Sequence, residues 1–503
     1  MSYRRVLATA LFLSLIVFEA TRSRATHADA IPPVRSIDVF ADNPQQSVIS
    51  GFDFSSIDHS VSACQDFNRF ANGGWIDRNP VPAAYSRWGR FETLDEQNLN
   101  VLHQILDGLV ARKKYANANE QKIAEFYGSC MDEPAIEAAG IKPLQPELDR
   151  IAKISDLLSL EDEIAVFHTH RIPAVFGFGA SQDAKNSSAM IGQLAQGGLG
   201  LPDRDYYTSG DAKMKATRDE YTRHVARTFE LMGDSPDQAA REAATVMSIE
   251  TKLAENSLTR VQRRNAEANY HPMDKRMLIE LTPDFDWGRY FRNINLPEVG
   301  TVNVGQPDFF KATDKLLKDI PIDDWKPYLR WHLVNAASNT LSSKFVEESF
   351  NFNGRYMSGT TEMLPRWRRC VTSTDRALGE ALGQLYVAKT FTPEARQRAR
   401  TMVANLIAAL KDDLTTLSWM SNETRQKAIA KLEAYDRKIG YPDKWRDYEA
   451  LTITRGPYYN NFVSSGEFEF KRGVGKIGKP VDKTEWGMSP PTVNAYYNAQ
   501  YNE

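Results

Sequence analysis

The chain has 503 residues, 42% of them hydrophobic and 25% charged, a composition typical of a folded globular protein with more than one domain. Its formal charge of −3 leaves no basic excess that would hold a phosphate backbone, which argues against nucleic acid as a partner.

The N-terminus has the parts of a secretory signal. Arg4 and Arg5 precede an apolar run from Val6 to Phe18, and an A-x-A cleavage site ends at Ala30. Because the run is short for a bilayer crossing, it favours a cleaved signal over a retained membrane anchor. We predict that residues 1–30 are removed after Ala30 and that the protein is exported, to the periplasm or the exterior. The alternative, an uncleaved anchor, also places the remainder outside the cytoplasm.

Residues 31–50 contain Pro, Asp and Ser without periodicity and predict a linker. Helical patterns then dominate to about residue 440. The first has apolar residues at intervals of three and four, with one polar interruption, at Phe91, Leu94, Asn98, Leu102, Ile105 and Leu109. Three hydroxyl–proline pairs predict helix starts, since the hydroxyl caps the helix and proline suits its first turn: Ser235-Pro236, Thr282-Pro283 and Thr392-Pro393.

Strands are predicted at Ile172–Ala180 and Ser188–Gln193, separated by a turn at Asp183–Asn186. From Gly440 onward, short apolar runs are broken by Gly and Pro, which predicts a different, β-containing unit.

Near its end the chain carries a further strand prediction. Residues Thr492–Tyr497 are β-branched and aromatic, and the preceding Pro490-Pro491 pair suits the entry to an edge strand. An exposed edge pairs with an extended peptide through main-chain hydrogen bonds. The segment therefore predicts a peptide-binding edge.

Metal and nucleophile motifs are missing from the sequence. It contains no H-E-x-x-H and no G-x-S-x-G. The one close histidine pair, His168 and His170, cannot share a metal on a helix, where positions i and i+2 point apart, so we assign it no metal role. His332 is interpreted as a packed core residue.

Two further motifs have ordinary structural explanations. Arg366, Arg368 and Arg369 surround Trp367, and we favour ion pairing with a stacked indole over anion binding. The run Leu201–Tyr207 predicts an ordered loop. The three cysteines, Cys64, Cys130 and Cys370, leave one without an intramolecular partner, which indicates either a missing partner or a buried free thiol.

Taken together, several of these segments resemble the neprilysin and endothelin-converting-enzyme family of zinc metalloendopeptidases. The matching motifs occur in the family's order from about residue 51 to the end: Cys64-Gln65-Asp66-Phe67, Asn72-Gly73-Gly74-Trp75, Ser86-Arg87-Trp88-Gly89-Arg90-Phe91, Leu201–Tyr207, Trp367-Arg368-Arg369-Cys370-Val371, and Glu485-Trp486-Gly487-Met488 leading into Asn494-Ala495-Tyr496-Tyr497.

The resemblance implies a mainly α fold with small β elements, in which a large helical lobe and an incomplete α+β catalytic lobe surround a peptide-sized cavity. The implied segments are 51–115 for the first part of the catalytic lobe and 116–445 for the helical lid lobe. Residues 446–503 would return to the catalytic lobe with the substrate-binding edge strand.

The resemblance also implies site residues. Asn494 and Ala495 match the strand whose asparagine amide and alanine carbonyl hold the substrate main chain. Arg87 matches an arginine that in some members reaches a substrate's C-terminal carboxylate. The second arginine of that group corresponds to Asp95 here, which argues against a carboxypeptidase-like preference.

Two consequences concern zinc and the cysteines. Family members hold zinc with H-E-x-x-H and a later glutamate, all of which would fall beyond Glu503. We therefore expect no catalytic residue, metal ligand or bound zinc in this chain alone, and no peptidase activity from it. The family pattern implies a Cys130–Cys370 disulfide, with Cys64 left as the free thiol. The rival interpretation is a non-catalytic exported helical protein that binds peptides or a partner.

Overall fold

The computed structural model describes residues 53–503, so the predicted signal peptide (1–30) and linker (31–50) lie outside the described residues. Residues 53–503 are mainly helical with one small sheet, which confirms the predicted fold class of mainly α with small β elements. The chain forms two compact units, one ending at Asn79 and one running from Pro80 to Glu503.

The α-helices of the described residues, numbered in chain order, are α1 (Phe67–Arg78), α2 (Arg90–Val110), α3 (Ala118–Met131), α4 (Glu133–Ala139), α5 (Gln145–Ala152), α6 (Leu157–Thr169), α7 (Asp205–Thr208), α8 (Ala212–Met232), α9 (Pro236–Glu255), α10 (Arg260–Arg263), α11 (Lys275–Leu281), α12 (Trp287–Asn293), α13 (Pro307–Asp319), α14 (Ile322–Ala337), α15 (Ser343–Phe350), α16 (Arg366–Thr390), α17 (Pro393–Thr416), α18 (Asn422–Glu433) and α19 (Tyr458–Val474). Short 3-10 turns lie at Phe54–Ser56, Lys142–Leu144 and Ser338–Thr340, and a π-helical segment lies at Asn351–Ser358. The strands are β1 (Phe176–Gln182), β2 (Met190–Gln196), β3 (Pro272–Met273) and β4 (Val302–Val304).

The first unit is small and is held by close backbone approach and ion pairs. A side chain at Gly74 would place its Cβ 2.2 Å from the carbonyl oxygen of Ser55, so only glycine fits there. Arg69 bridges Asp58 at 3.0 Å and Asp77 at 2.7 Å. These contacts give a structural reason for the glycine in the Asn-Gly-Gly-Trp motif.

The sheet of the second unit has the order β1-β2-β4-β3, with β2 and β4 parallel and the other pairs antiparallel. The two predicted strands and the turn between them are confirmed as the antiparallel pair of β1 and β2, although the second strand runs over Met190–Gln196 rather than Ser188–Gln193. The Asp183 amide closes the turn by donating to the Ala189 carbonyl at 2.9 Å. The first strand begins at Phe176 rather than Ile172, because Val175 has a φ of 57° and interrupts the extended backbone.

Two of the three predicted helix starts are confirmed. Ser235 and Thr392 cap α9 and α17, and a proline follows each. The start predicted at Thr282 is wrong, because that residue ends α11 instead. Its hydroxyl donates to the Leu278 carbonyl and accepts from the Trp287 indole, so it serves the core rather than a cap.

The larger core of the second unit combines the sheet with α5, α6, α8, α9, α11–α15 and α19. Aromatic rings fill its centre. The ring centre of Phe176 lies within 5.7 Å of four others, those of Phe285, Trp287, Tyr290 and Phe310. Edge-to-face and tilted ring contacts of this kind add stabilisation beyond the area they bury. His332 is 2% exposed in this core, as predicted, and lies 3.1 Å from the buried Glu250.

The smaller core packs α2 and α3 against the first half of α16, and the predicted disulfide between Cys130 and Cys370 lies within it. Cys64 is free and exposed, so the buried-thiol alternative does not hold for this residue. The helix predicted from the pattern beginning at Phe91 is confirmed as α2. Its second half supplies Leu102 and Leu109 to the core, whereas Phe91 remains 64% exposed.

One helix belongs to both cores. In α19, Tyr458 packs in the smaller core, and Tyr459, Phe470 and Val474 pack in the larger one. Asn461 on the same helix is buried and donates to the Ser129 hydroxyl and the Thr454 carbonyl. Helix α19 therefore ties the two cores together.

The β-containing unit predicted after Gly440 is not observed. Between that residue and Glu503 the structure has irregular segments and α19, and a single isolated bridge between Ala189 and Pro480 is the sole β pairing. Two of the glycines and prolines in this stretch serve close packing: Gly466 of α19 lies against the His170 carbonyl, and Pro490 lies against Gly383 of α16.

Helices α17 and α18 contribute no buried residue; Met402 and Leu406 of α17 are exposed, and so is Trp419 in the turn between the two helices. None of the helices within residues 53–503 has the length and apolarity that a bilayer crossing demands.

The disulfide closes a loop of 240 residues, so its loss should destabilise the fold. We expect the double variant Cys130→Ser, Cys370→Ser to have a free energy of unfolding lower by roughly 2–4 kcal/mol, measured by denaturant titration. Cys64→Ser is the matched control and should leave the midpoint unchanged, because that thiol is exposed and unpaired. Non-reducing peptide mapping that recovers a bridge through Cys64 would contradict the assignment.

Candidate functional site

Arg87 lies in the loop that leads into α2, and its side chain is 85% exposed. Its Nε donates to Glu92 Oε1 at 2.7 Å, which fixes the orientation of the planar group. The loop itself is braced by Tyr85, whose ring packs at 4.9 Å on Trp88 and whose hydroxyl donates to Glu96. The structure thus presents Arg87 as an oriented, exposed cation.

The basic cluster around Trp367, formed by Arg366, Arg368 and Arg369, makes ion pairs and packing contacts within the fold. Arg368 pairs with Glu96, and its guanidinium carbon lies 5.1 Å from the Trp367 ring centre. The His103 ring stacks on the same indole at a centroid distance of 4.2 Å. Arg366 donates to the Cys130 carbonyl at 2.9 Å. The interpretation as ion pairing around a stacked indole is confirmed.

The predicted edge strand at Thr492–Tyr497 is wrong as a paired strand. The segment is largely exposed, and within residues 53–503 it joins no sheet. Local hydrogen bonds replace a ladder: the Asn494 amide donates to the Thr492 carbonyl, and the Ala495 amide donates to the Asn494 side-chain oxygen. Asparagine competes with strand pairing in this way.

The residues just before this segment are firmly anchored. Asn98 on α2 donates to the Pro491 carbonyl at 2.8 Å and accepts from the Tyr386 hydroxyl at 2.8 Å. The Ser489 hydroxyl donates to Asp375 Oδ2 on α16, also at 2.8 Å. Both neighbouring helices therefore fix the path of the chain into Asn494.

Two glycines of α16 permit this approach. An added Cβ at Gly383 would lie 2.6 Å from Cδ of Pro490, and one at Gly379 would lie 3.1 Å from Cβ of Ser489. Positions four residues apart share one face of a helix, so the two glycines form a groove for the Ser489–Pro490 backbone. Larger residues would push the segment away.

Helix α16 bends beside this groove, because Leu378 has non-helical angles of φ −132° and ψ 29°. Two residues after Leu378, the Glu380 amide donates to the Tyr448 hydroxyl at 3.2 Å.

Hydrogen bonds and ion pairs also hold residues before and after Asn494 and Ala495. The Tyr496 hydroxyl donates to Glu503, which also pairs with Lys438. Glu485, which precedes the segment, forms ion pairs with Arg472 at 2.6 Å and with Lys476. Asn494 and Ala495 consequently lie exposed between two anchored flanks.

A cavity of about 280 Å³ borders the same segment. Its lining residues come from α16, from Arg446 and from the approach to Asn494: Asp375, Arg376, Gly379, Glu380, Arg446, Trp486, Gly487, Met488, Ser489 and Thr492. Burial raises the pKa of Asp375 to about 6, although the Ser489 hydroxyl bond opposes the rise, and the negative charge of Asp95 adds to it.

The histidine pair does not form a metal site. His168 Nε2 donates to the Ala174 carbonyl and Nδ1 accepts from the Tyr290 hydroxyl, and burial lowers its pKa to about 4. His170 faces Glu467 at 3.3 Å. Among residues 53–503, no group of three or more His, Cys, Asp or Glu side chains is placed to hold a metal ion.

Sequence reasoning singled out Arg87, Asn494 and Ala495 but missed Asp375, Gly379, Gly383 and Ser489. The signal for the glycines is present as two glycines four residues apart inside a helical pattern. Nothing local marks Asp375, because its burial depends on Ser489, which is 114 residues away.

The glycine groove generates a stability prediction. Gly383→Ala should lower the free energy of unfolding by about 1–3 kcal/mol, because the new methyl group meets the Pro490 ring. Gly108→Ala on α2 is the matched control, since an added Cβ there meets nothing within 4 Å and should stabilise the helix by roughly 0.5–1 kcal/mol. Equal effects of the two substitutions in chemical denaturation would refute the groove.

The raised pKa of Asp375 generates a pH prediction. The folded state binds this proton more tightly than the unfolded state, so the carboxyl costs stability as the pH rises from about 4 through 6. Asp375→Asn should therefore stabilise the protein by roughly 2–3 kcal/mol at pH 8, by about half as much at pH 5 and by little below about pH 4. Thermal melts across this range measure the difference, and the exposed Asp149→Asn should show no such trend.

Comparison with known proteins places this geometry in a family. The sequence model of peptidase family M13 matches residues 63–442. The chain is 31% identical to neprilysin-3 of Drosophila melanogaster over 476 residues and 31% identical to endothelin-converting enzyme 1 of Homo sapiens over 468 residues. Each alignment covers 89% of this chain and 60% of the relative, so the chain spans about 60% of the length of these curated relatives.

The fold of this chain is also similar to that of a solved structure. The zinc metalloprotease ZMP1 of Mycobacterium tuberculosis, in complex with an inhibitor, superimposes with a TM-score of 0.84 at 33% identity, covering 89% of this chain and 68% of that one. Because the family match extends over most of the sequence and the fold agrees with a solved zinc metalloprotease, this chain belongs to peptidase family M13.

Proposed function

We propose that this chain contributes the peptide-binding wall of an exported zinc metalloendopeptidase that cleaves small peptides. The observation that carries the proposal is the exposed segment Thr492–Tyr497, held between anchored flanks and paired with no strand of the described residues. Membership of peptidase family M13 supports it.

Asn494 and Ala495 take the peptide main chain in this proposal. The Asn494 side-chain oxygen is already occupied by the Ala495 amide, so its Nδ2 remains to donate to a substrate carbonyl. The Ala495 carbonyl accepts no hydrogen bond from the described residues and is available to a substrate amide. Together they would extend a bound peptide along the segment.

Arg87 is proposed to bind a carboxylate of the substrate. Its Nε is used by Glu92, and the remaining N–H groups of the exposed guanidinium suit a carboxylate. Asp95 follows one α2 turn after Glu92 and would repel a second negative charge. We therefore propose an endopeptidase rather than an enzyme that requires a free C-terminus.

Zinc supplies a Lewis acid and an activated water in metalloproteases. The donors within residues 53–503 do not fit such a site, since the buried His168 uses both ring nitrogens and no suitable group of ligands converges. No catalytic step is assigned to these residues, and we propose that the 503-residue chain by itself is catalytically incomplete.

We propose that the chain is divided into a signal peptide at 1–30, a linker at 31–50, catalytic-lobe segments at 51–115 and 446–503, and a lid lobe at 116–445. The smaller core draws on the last three segments through Leu102, Cys130 and Ile453. The parts of these three segments that lie after Pro80 are therefore expected to fold together.

Peptide binding by residues 31–503 tests the proposal, with fluorescence anisotropy of labelled hexapeptides as the measurement. Asn494→Ala should weaken binding by about three- to tenfold, the worth of one or two hydrogen bonds. Asn353→Ala, at another exposed asparagine, should bind like the unmodified chain.

The same preparation should hold no stoichiometric zinc by elemental analysis and should hydrolyse no peptide. One zinc per chain with chelator-sensitive cleavage would overturn the proposed incompleteness. Equal binding by the two asparagine variants would overturn the assigned binding segment. The rival interpretation is a non-catalytic exported helical protein that binds peptides or a partner. If its ligand is a protein partner, it predicts no affinity for these peptides.

A further inference from the structure

Only one of the two oxygens of the Asp375 carboxylate has a hydrogen-bond partner among the described residues. Its Oδ2 accepts from Ser489, whereas its Oδ1 is buried and accepts no hydrogen bond from the described residues. A buried acceptor without a partner is uncommon in a folded protein and calls for an explanation. In this case the oxygen lies 3.4 Å from the position that a Cβ on Gly379 would take, at the wall of the 280 Å³ cavity.

The charges around the cavity leave Asp375 without a cation of its own. Arg446, which also lines the cavity, is committed to Glu380 at 3.4 Å and Glu469 at 2.9 Å. Arg376 is exposed, and the structure shows no ion pair between it and Asp375. The nearby Asp95 adds negative charge, as the raised pKa of Asp375 reflects.

We propose that this cavity is a subsite for a basic side chain, lysine or arginine, of a bound peptide, with Asp375 as its charge partner. The inference rests on the proposed peptide-binding function and specifies the class of substrate. A buried carboxylate with one unpaired oxygen matches an ammonium or guanidinium group, which has only donors to offer.

The position of the cavity suits this role. Ser489 and Thr492 line it, and Thr492 lies two residues before Asn494. Side chains of an extended peptide project to the same side at every second residue, roughly 6–7 Å apart. A peptide that pairs with Asn494 and Ala495 can therefore direct one side chain into the cavity while its main chain stays on the segment.

An acidic side chain is the alternative occupant, through Arg376. It would have to enter beside the unpaired Asp375 oxygen, and like charges in a partly buried site repel. The structure thus favours the basic side chain.

The test compares labelled hexapeptides that differ at one position, scanned along the peptide, in lysine, norleucine or glutamate. Norleucine matches the length of the lysine stem without its charge. At one position the lysine peptide should bind about tenfold tighter than the norleucine peptide, as expected for a charge-assisted hydrogen bond. In Asp375→Asn this ratio should fall to about one, whereas the exposed Asp149→Asn should retain it.

Each outcome is decisive. Binding of all three peptides with equal affinity, or a preference for glutamate, would overturn the basic subsite and leave the proposed peptide binding intact. A lysine preference that persists in Asp375→Asn would overturn the role of this residue. Failure of every peptide to bind would reject both proposals. A thermal melt of each variant verifies that the fold is retained.

Discussion

Close packing of Ser489 and Pro490 against α16 is the constraint on which the candidate site depends. It is possible only because positions 379 and 383 carry no side chain, so that a backbone can lie directly on the helix. The contact brings Asp375 to Ser489, and Asn98 reaches Pro491 from the opposite side. These contacts fix the position of the chain just before the exposed Asn494 and Ala495. Helix α16 is itself fixed by the smaller core, in which it is joined to α3 through Cys370.

The same packing has an electrostatic cost. Docking Ser489 on α16 buries a carboxylate whose pKa rises to about 6, and the carboxylate receives only one hydrogen bond in return. Glu348 differs, because it accepts hydrogen bonds from both His224 and Arg227, whereas Glu147, Glu161 and Asp314 each have one buried oxygen without a partner among the described residues, as Asp375 has. An ionisable group that a fold leaves partly unsatisfied beside a cavity is a frequent mark of a binding site. Arg87 shows the opposite arrangement, a solvated cation oriented by one partner, so the two residues would contact a ligand in different ways.

Local signals in the sequence predicted local structure well. The α2 pattern, the caps at Ser235 and Thr392 and the hairpin around Asp183 are all decided by residues within a few positions of each other. Prediction was wrong where a distant partner decides the outcome. Thr282 is a sound cap by composition, but the Trp287 indole uses its hydroxyl in the core. The segment Thr492–Tyr497 has strand composition, yet a strand exists only when another pairs with it. The resemblance identified Arg87, Asn494 and Ala495, whereas Asp375 became visible only once its contact with Ser489 was seen.

The disulfide also defines a boundary within the fold. Cys130 and Cys370 are 240 positions apart in sequence, but their Cα atoms are only 5.7 Å apart. The intervening stretch therefore begins and ends at one place, which is the geometry of a domain inserted into a loop of another. It is not self-sufficient, however, because its core is completed by Tyr459, Phe470 and Val474 of α19, which lies outside the loop. A chimera that exchanges this stretch between relatives must consequently bring the matching α19 with it, or the transplanted core will lack part of its wall.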